Sequence, residues 1–334
     1  DQEKAGKEYL RQVYPKLKKF YEYFLDNRQV SPNNLLIFNV HPCETGRDSD
    51  PTFDFIKHKK PLANKGHETP TYRVAINTVA DYIGNVALGF RSKKHGWDPT
   101  QAHQTFKFCD VMFNCLFAKN LRDLALIAEE LGEVDEAISF HNKADRLSEQ
   151  IQTRMYRSNQ KESSKNGFFG IDYTGRWPEL LNYMEAGETD SDNVSYFRSV
   201  SNLFPLVLDD LDLDKLRQTL DLIDDEFTDN FMIPTVSTKS PDYDANYRQS
   251  NMWRGPVWLW INDFLTSAVN DQLKRLDMQE TSELTTRLET LQKKLVDSGD
   301  QLLSNCNNPL DSKNFAVRAI NKFIPFALRS QSID

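Results

Sequence analysis

Phe113-Asn-Cys-Leu-Phe-Ala-Lys-Asn-Leu-Arg-Asp-Leu-Ala-Leu-Ile-Ala-Glu-Glu-Leu-Gly132 is the stretch that decides the fold class. Phe113, Leu116, Phe117, Leu121, Leu124, Ala128 and Leu131 recur at steps of three and four, the period that lines one face of an α-helix with apolar side chains. Gly132 stands where a helix end needs a left-handed residue, so the helix stops there. Val134-Asp-Glu-Ala137 then opens a second periodic run toward Tyr156. The break between the two runs is short, which makes them an antiparallel helical hairpin.

The same pattern extends in both directions. Leu10, Val13, Leu17, Phe20 or Tyr21, and Phe24 predict an amphipathic helix near the start, with Lys16, Lys18, Lys19 and Glu22 opposite and Pro15 bending it. Val74, Val79, Ile83, Val86 and Leu88 predict another over residues 72–90. Residues 204–208 pair with 213–227, residues 257–269 with 284–303, and a last helix covers roughly 315–328. Strand signals are confined to residues 167–173 and 232–234, and no alternation supports a sheet core. Residues 28–68 show no sustained period and read as a long loop, the kind that often carries function. About nine helices, mostly in hairpins and without a fixed-period repeat, predict an all-α fold with a single domain over residues 1–334.

Composition narrows the partners. Lys and Arg number 41 against 49 Asp and Glu, a net charge of −8, so no basic surface is expected to track nucleic acid. The 21 Phe, 12 Tyr and 5 Trp supply rings enough for a packed core. No apolar run approaches the ~18 residues of a membrane-spanning helix, so no membrane partner is expected. Cys43, Cys109, Cys115 and Cys306 lack the spacing of a zinc or redox site, and Cys109 and Cys115 read as small buried hydrophobes. The six histidines form no H-x-x-x-H or H-E-x-x-H pair, so neither a metal nor another cofactor is expected. The compartment stays open, with a soluble cytoplasmic chain as the default.

Two loops carry the chemistry. His41-Pro-Cys-Glu-Thr-Gly-Arg-Asp-Ser-Asp-Pro-Thr-Phe-Asp54 packs Glu44, Asp48, Asp50 and Asp54 with Arg47 into a short non-helical stretch. Composition alone reads such acids as caps or solvated side chains. Gly46 among them marks a backbone position of unusual conformation, which favours a built loop. Tyr247-Arg-Gln-Ser-Asn-Met-Trp-Arg-Gly-Pro-Val-Trp-Leu-Trp260 holds three of the five tryptophans at the entry to a helix. Indole rings beside Arg254, Gln249 and Tyr247 suit a sugar, whose ring offers apolar C–H faces and hydroxyl edges. The plainer reading is a core aromatic cluster, which fits Trp260 better than Trp253 and Trp258. Trp177 would floor a subsite or serve as an ordinary turn aromatic. Asp110 and Asn114, one helical turn apart, would reach the site or satisfy neighbouring backbone.

His41-Pro-x-Glu-x-Gly-Arg-Asp48-x-x-Pro51 resembles the His-Pro-Trp-Glu-Ser-Gly-x-Asp-x-Ser-Pro signature of glycoside hydrolase family 63 and its trehalase-like relatives, which include mannosylglycerate and glucosylglycerate hydrolases. Trp253-Arg-Gly-Pro-Val-Trp258 is similar to the same group's Trp-Arg-Gly-Pro-x-Trp. The resemblance covers most of the chain. It implies an (α/α)6 toroid of helical hairpins with short β elements in its loops, and inverting, exo-acting hydrolysis of a small α-glucoside, α-mannoside or glycosylglycerate. It also implies Asp48 as general acid, with Glu44, Trp253, Arg254 and Trp258 around the substrate; Arg47, beside Asp48 in the same loop, is a further candidate for substrate binding. A general acid holds its proton through burial or a neighbouring carboxylate, and Glu44 and Asp50 would serve Asp48 in that way. An inverting enzyme needs a second carboxylate ~6.5–9.5 Å away to activate water.

The family's base glutamate falls at Asn305 here, and an amide takes no proton from water. Another register, Asp311 as base, or a chain that binds sugar without cutting it are the alternatives. Cys43, Thr45 and Met252 also depart from the family's Trp, Ser and Tyr. Some four helices that precede this region in the family have no counterpart. The implied ring is incomplete at its N-terminus, and an exposed apolar seam would be covered by a missing N-terminal segment or by a second copy.

Overall fold

The computed structural model of the chain describes residues 2–47, 49–53, 86, 89–90, 93–94, 96, 106–158, 165–173, 194–227, 232–243, 252–276 and 282–305. Helix α1 spans Gln2–Asn27 and runs on through Pro15. It is followed by an antiparallel hairpin of β1, Gln29–Ser31, and β2, Asn34–Ile37, inside the stretch that the sequence presents as a featureless loop. These strands are too short to show alternation. Two 3-10 turns, Pro42–Thr45 and Pro51–Phe53, each start on a proline, whose missing N–H has no acceptor to lose there.

Helix α2, Val111–Leu131, begins at Asp110, whose side chain caps the Phe113 amide, and ends at Gly132 with φ 85°. Helix α3, Val134–Gln150, returns against it and closes in a wide turn, Ile151–Met155. A 3-10 helix, Val200–Val207, leads to α4, Leu213–Leu222, and a second wide turn, Ile223–Phe227. Helices α5, Leu259–Leu276, and α6, Ser282–Asn305, complete the described hairpins. The hairpins expected after residues 113, 204 and 257 are therefore present. The helices expected over residues 72–90 and 315–328 lie outside the described residues, apart from a few isolated positions.

Short strands stitch the loops together. β3, Phe108–Cys109, and β7, Val194–Ser195, flank β6, Gly170–Asp172, while β4, Tyr156–Arg157, pairs with β5, Gly167–Phe168. Gly170 is required in β6, because a Cβ there would sit 2.2 Å from the Phe108 ring.

Packing sorts the helices into two layers. Helix α2 touches the 3-10 helix, which touches α5, and these three form the inner layer, with every residue of the 3-10 helix buried. Helices α1, α3, α4 and α6 lie outside them. One apolar cluster runs through all of these helices from Tyr14 to Leu295, and Phe53, Phe106 and Phe108 form a small second one. Helix α1 joins the first through Tyr21 and Phe24 against Phe117 but leaves Tyr9, Phe20 and Tyr23 exposed.

Two inner helices are tied down in the same way. Asn114 of α2 accepts from the Ile37 amide at 2.7 Å and donates to the Ile37 and Asp110 carbonyls at 2.9 and 2.8 Å. Asn262 of α5 accepts from the Ile233 amide at 2.9 Å and donates to the Ile233 and Trp258 carbonyls at 2.9 and 3.0 Å. Each side chain fastens an extended segment to the first turn of an inner helix. Asn114 thus satisfies backbone, the second of the two roles open to it in the sequence.

Candidate active site

The early acidic loop is built around Arg47. Its side chain is fully buried, and its guanidinium bridges Asp50 and Asp110, both buried as well. Arg47 Nη1 also donates to Ser199 Oγ at 3.2 Å, and the guanidinium lies over the Phe53 ring, 5.7 Å from its centroid. Nε donates to nothing among the described residues. Asp110 is bound on several sides. Its Oδ1 accepts from the Phe113 amide at 2.9 Å, and Oδ2 accepts from Ser201 Oγ at 3.0 Å. Ser201 Oγ in turn accepts from the Met112 amide at 2.9 Å.

Glu44 is held by a different arginine. Arg28 donates to its two carboxylate oxygens at 3.1 and 3.2 Å, and the Val40 amide donates to Oε2 at 2.8 Å. The Arg28 guanidinium is itself placed over Phe24 and Phe38. Glu44 and Asp50, expected to face Asp48 and raise its pKa, are thus both engaged by guanidinium groups. Asp48, Trp177, Tyr247 and Gln249 lie outside the described residues.

The late loop is a layered aromatic cluster. Trp253, buried, stacks on the half-buried Trp258 with centroids 5.3 Å apart and planes at 15°. The Trp258 indole N–H donates to the Met252 carbonyl at 2.6 Å. Arg254, also buried, donates to Asp242 at 3.4 Å. Trp260 meets Trp253 edge to face, yet it is 40% exposed, which corrects its reading as a core ring. Its position on α5 points it outward beside Phe264, which is also exposed.

A short relay joins the two loops. Ser199, bonded to Arg47, is followed by Val200, whose amide donates to the Thr235 carbonyl at 2.9 Å. Thr235 Oγ1 accepts from the Gly255 amide at 2.8 Å, inside the Trp-Arg-Gly-Pro segment, and Pro234 bridges Val257. Asp110, Ser199 and Trp258 stand at the N-terminal ends of α2, the 3-10 helix and α5. All three inner elements therefore aim the positive ends of their dipoles at one region. Ser199 and Thr235 escape sequence reasoning because isolated hydroxyl residues carry no motif.

Burial pushes the Cys109 thiol up, with Asp110 and Asp172 adding to it, and burial does the same to Cys115. Among the described residues no three His, Cys, Asp or Glu side chains are grouped to hold a metal ion. No described helix is long and apolar enough to cross a membrane. A cleft of about 440 Å³ between the end of α1, the β1–β2 hairpin and α3 is lined by Glu22, Asp26, Pro32 and Arg146 and by no residue of either loop.

Paired helices in two layers, with an acidic loop and a tryptophan loop gathered at the N-terminal ends of the inner layer, place the chain in the helical-toroid fold class. The chain belongs to the mannosylglycerate hydrolase MGH1-like glycoside hydrolase domain family, whose model matches residues 1–314. It is 23% identical over 305 residues to mannosylglycerate hydrolase MGH1 of Selaginella moellendorffii, covering 86% of this chain and 54% of that protein. To the mannosylglycerate hydrolase of Rubrobacter radiotolerans it is 22% identical over 272 residues, 77% of this chain and 55% of the other. The chain thus spans about half the length of these relatives. The fold matches the family 63 mannosylglycerate hydrolase of Thermus thermophilus in complex with Tris with TM-score 0.64 at 20% identity, over 90% of this chain and 64% of that one. The same enzyme with Tris and D-glycerate gives TM-score 0.62 at 19% identity, over 86% and 63%. The fold is accordingly that of the family 63 (α/α)6 enzymes.

Proposed function

We propose that this chain carries the acid side and the aromatic wall of an inverting α-glycosidase that acts on a small glycosylglycerate. Asp48 is the general acid in this reading. Trp253, Trp258 and Arg254 shape the sugar pocket with Tyr247, Gln249 and Trp177, Glu44 closes the acidic loop, and the whole chain acts as one domain. The observation that carries it is the relay from Arg47 through Ser199 and Thr235 to Gly255, which draws together two loops about two hundred positions apart. The neighbours' names and the D-glycerate held by one of them support a glycerate aglycone.

The test is proton NMR of the protein incubated with α-mannosylglycerate and α-glucosylglycerate, with release of the β-anomer expected. Asp48→Asn should lower kcat by a factor on the order of 10²–10⁴ while leaving the melting temperature unchanged. Undiminished turnover in that variant would remove Asp48 from the role. A second reading, a sugar-binding chain that does not hydrolyse, is favoured by Asn305, which ends α6 where the family's base glutamate is expected. Calorimetric heat on adding either glycoside, with no product in the NMR spectrum, would support that reading over the first.

A further inference from the structure

Arg47 and Asp50, one position before Asp48 and two after it, are bonded to each other and to the N-terminus of α2. The Asp50 amide donates to the Arg47 carbonyl at 2.9 Å, and the Arg47 guanidinium pairs with the Asp50 carboxylate. Asp50 then holds the far side of the loop, its Oδ1 accepting from the Thr52 amide at 2.8 Å and its carbonyl from Phe53 at 3.1 Å. On the near side Gly46, at φ 70°, turns the chain out of the first 3-10 turn. The other edge of the Arg47 guanidinium grips Asp110, the N-cap of α2, and Asp110 is fixed in turn by Phe113 and Ser201.

We infer that Arg47 and Asp110 are positioning residues: a buried clamp between the acidic loop and the N-terminus of α2 fixes where Asp48 presents its carboxyl group. The inference rests on the reading of Asp48 as the proton donor. Arg47 acts through the loop and not by touching sugar, because its side chain is fully buried and both of its terminal nitrogens are occupied by protein acceptors. Arginine is needed for this, since a planar guanidinium spans two carboxylates whereas an ammonium is a single point charge. Asp110 has two separable tasks. Capping α2 needs only a side-chain acceptor, and Asn caps as well as Asp. Holding Arg47 needs the charge.

Asp110→Asn therefore separates the tasks, and Arg47→Lys probes the clamp from the other side. Three readouts decide. On α-mannosylglycerate, kcat should fall at least tenfold in both variants with KM changed less than twofold. On α-mannosyl fluoride, whose leaving group departs without a proton, the deficit should shrink to under threefold, which general loosening of the fold would not produce. Hydrogen exchange at the Asp50, Thr52 and Phe53 amides should quicken at least tenfold while the amides of the first turn of α2 keep their protection. Unchanged kcat together with unchanged loop exchange would overturn the clamp, as would a tenfold rise in KM at constant kcat, which would make Arg47 a substrate contact. If the wild-type protein cleaves no glycoside, the proposed activity fails, yet loop exchange in the variants still decides the clamp. Should Asp110→Asn not fold, Asp50→Asn leaves the α2 cap intact and is read in the same three ways.

Discussion

A guanidinium enclosed with two carboxylates is costly to disrupt, because removing one partner strands a charge that has lost its water. Arg47 is therefore a poor candidate for a side chain that moves during turnover. Its place beside Asp48 in the acidic loop suggests a substrate contact, and the clamp is unreadable in sequence because Asp110 lies 63 positions away, with nothing between them to mark the pair. Thr235 is hidden for the same reason. Its hydroxyl, buried, accepts from Gly255, so Thr235→Val keeps the volume but strands that amide, at an expected cost of ~1–3 kcal/mol in denaturant unfolding. A midpoint identical to wild type would show that the relay does not hold the tryptophan loop. The thiols are legible: Cys109 and Cys115 are buried, and burial raises both. Iodoacetamide at pH 8 should leave both unlabelled in the native protein and reach them only after unfolding, with Cys43 labelled in both states as the exposed control. Mass spectrometry of the peptides checks this, and native labelling would mean that β3 opens in the case of Cys109, or the N-terminal part of α2 in the case of Cys115.

Among the elements, the long hairpins are legible in the sequence and the short pieces are not. The face Phe113 to Leu131 repeats over five turns, so the helix shows through any single exception, and Gly132 marks its end. The strands β1 and β2 span three and four residues and are fixed by pairing with each other, not by an internal period. Trp260 is misread from sequence because one turn of α5 does not say which arc of the helix faces inward. The outer layer adds an interaction that periodicity cannot show. Glu136 at the start of α3 accepts from Tyr14 at 2.5 Å and from Lys18 on α1. Lys18, then Tyr14, hold the Glu136 carboxyl below its ordinary value, and Glu136 raises Lys18. A depressed carboxylate stabilises the fold above its unfolded titration and loses that contribution as pH falls through its folded value. A raised amine contributes below its ordinary value and loses that only in strong base. Glu136→Gln, which keeps an acceptor for Tyr14, should therefore cost at most ~1 kcal/mol, constant from pH 6 to 9. The cost should vanish as pH drops below 4.5, where wild-type Glu136 also loses its charge. Thermal melts across that range check it, and a deficit that persists in acid would assign the effect to packing.

At the scale of the whole molecule, the early and late halves of the chain share one apolar cluster from Tyr14 to Leu295. Asn114 and Asn262 repeat the same backbone clamp at α2 and α5, so both halves are also closed in the same manner. That architecture predicts a single unfolding unit. Of the five tryptophans, Trp253, Trp258 and Trp260 lie in the late half, so in a background with Trp97 and Trp177 replaced by phenylalanine the fluorescence reports on that half, whereas circular dichroism reports on every helix. Leu121 is fully buried in α2, and truncating a core leucine to alanine typically costs ~2–5 kcal/mol. If the halves unfold together, Leu121→Ala should move the tryptophan fluorescence transition and the dichroism transition to lower urea by the same amount, although the substituted side chain is in the early half. A fluorescence midpoint that stays at its wild-type value while the dichroism midpoint falls would divide the chain into two independently folding parts. The acidic and tryptophan loops would then belong to different units, and the relay through Ser199 and Thr235 would be an interface between those units, not a fixed part of one active site.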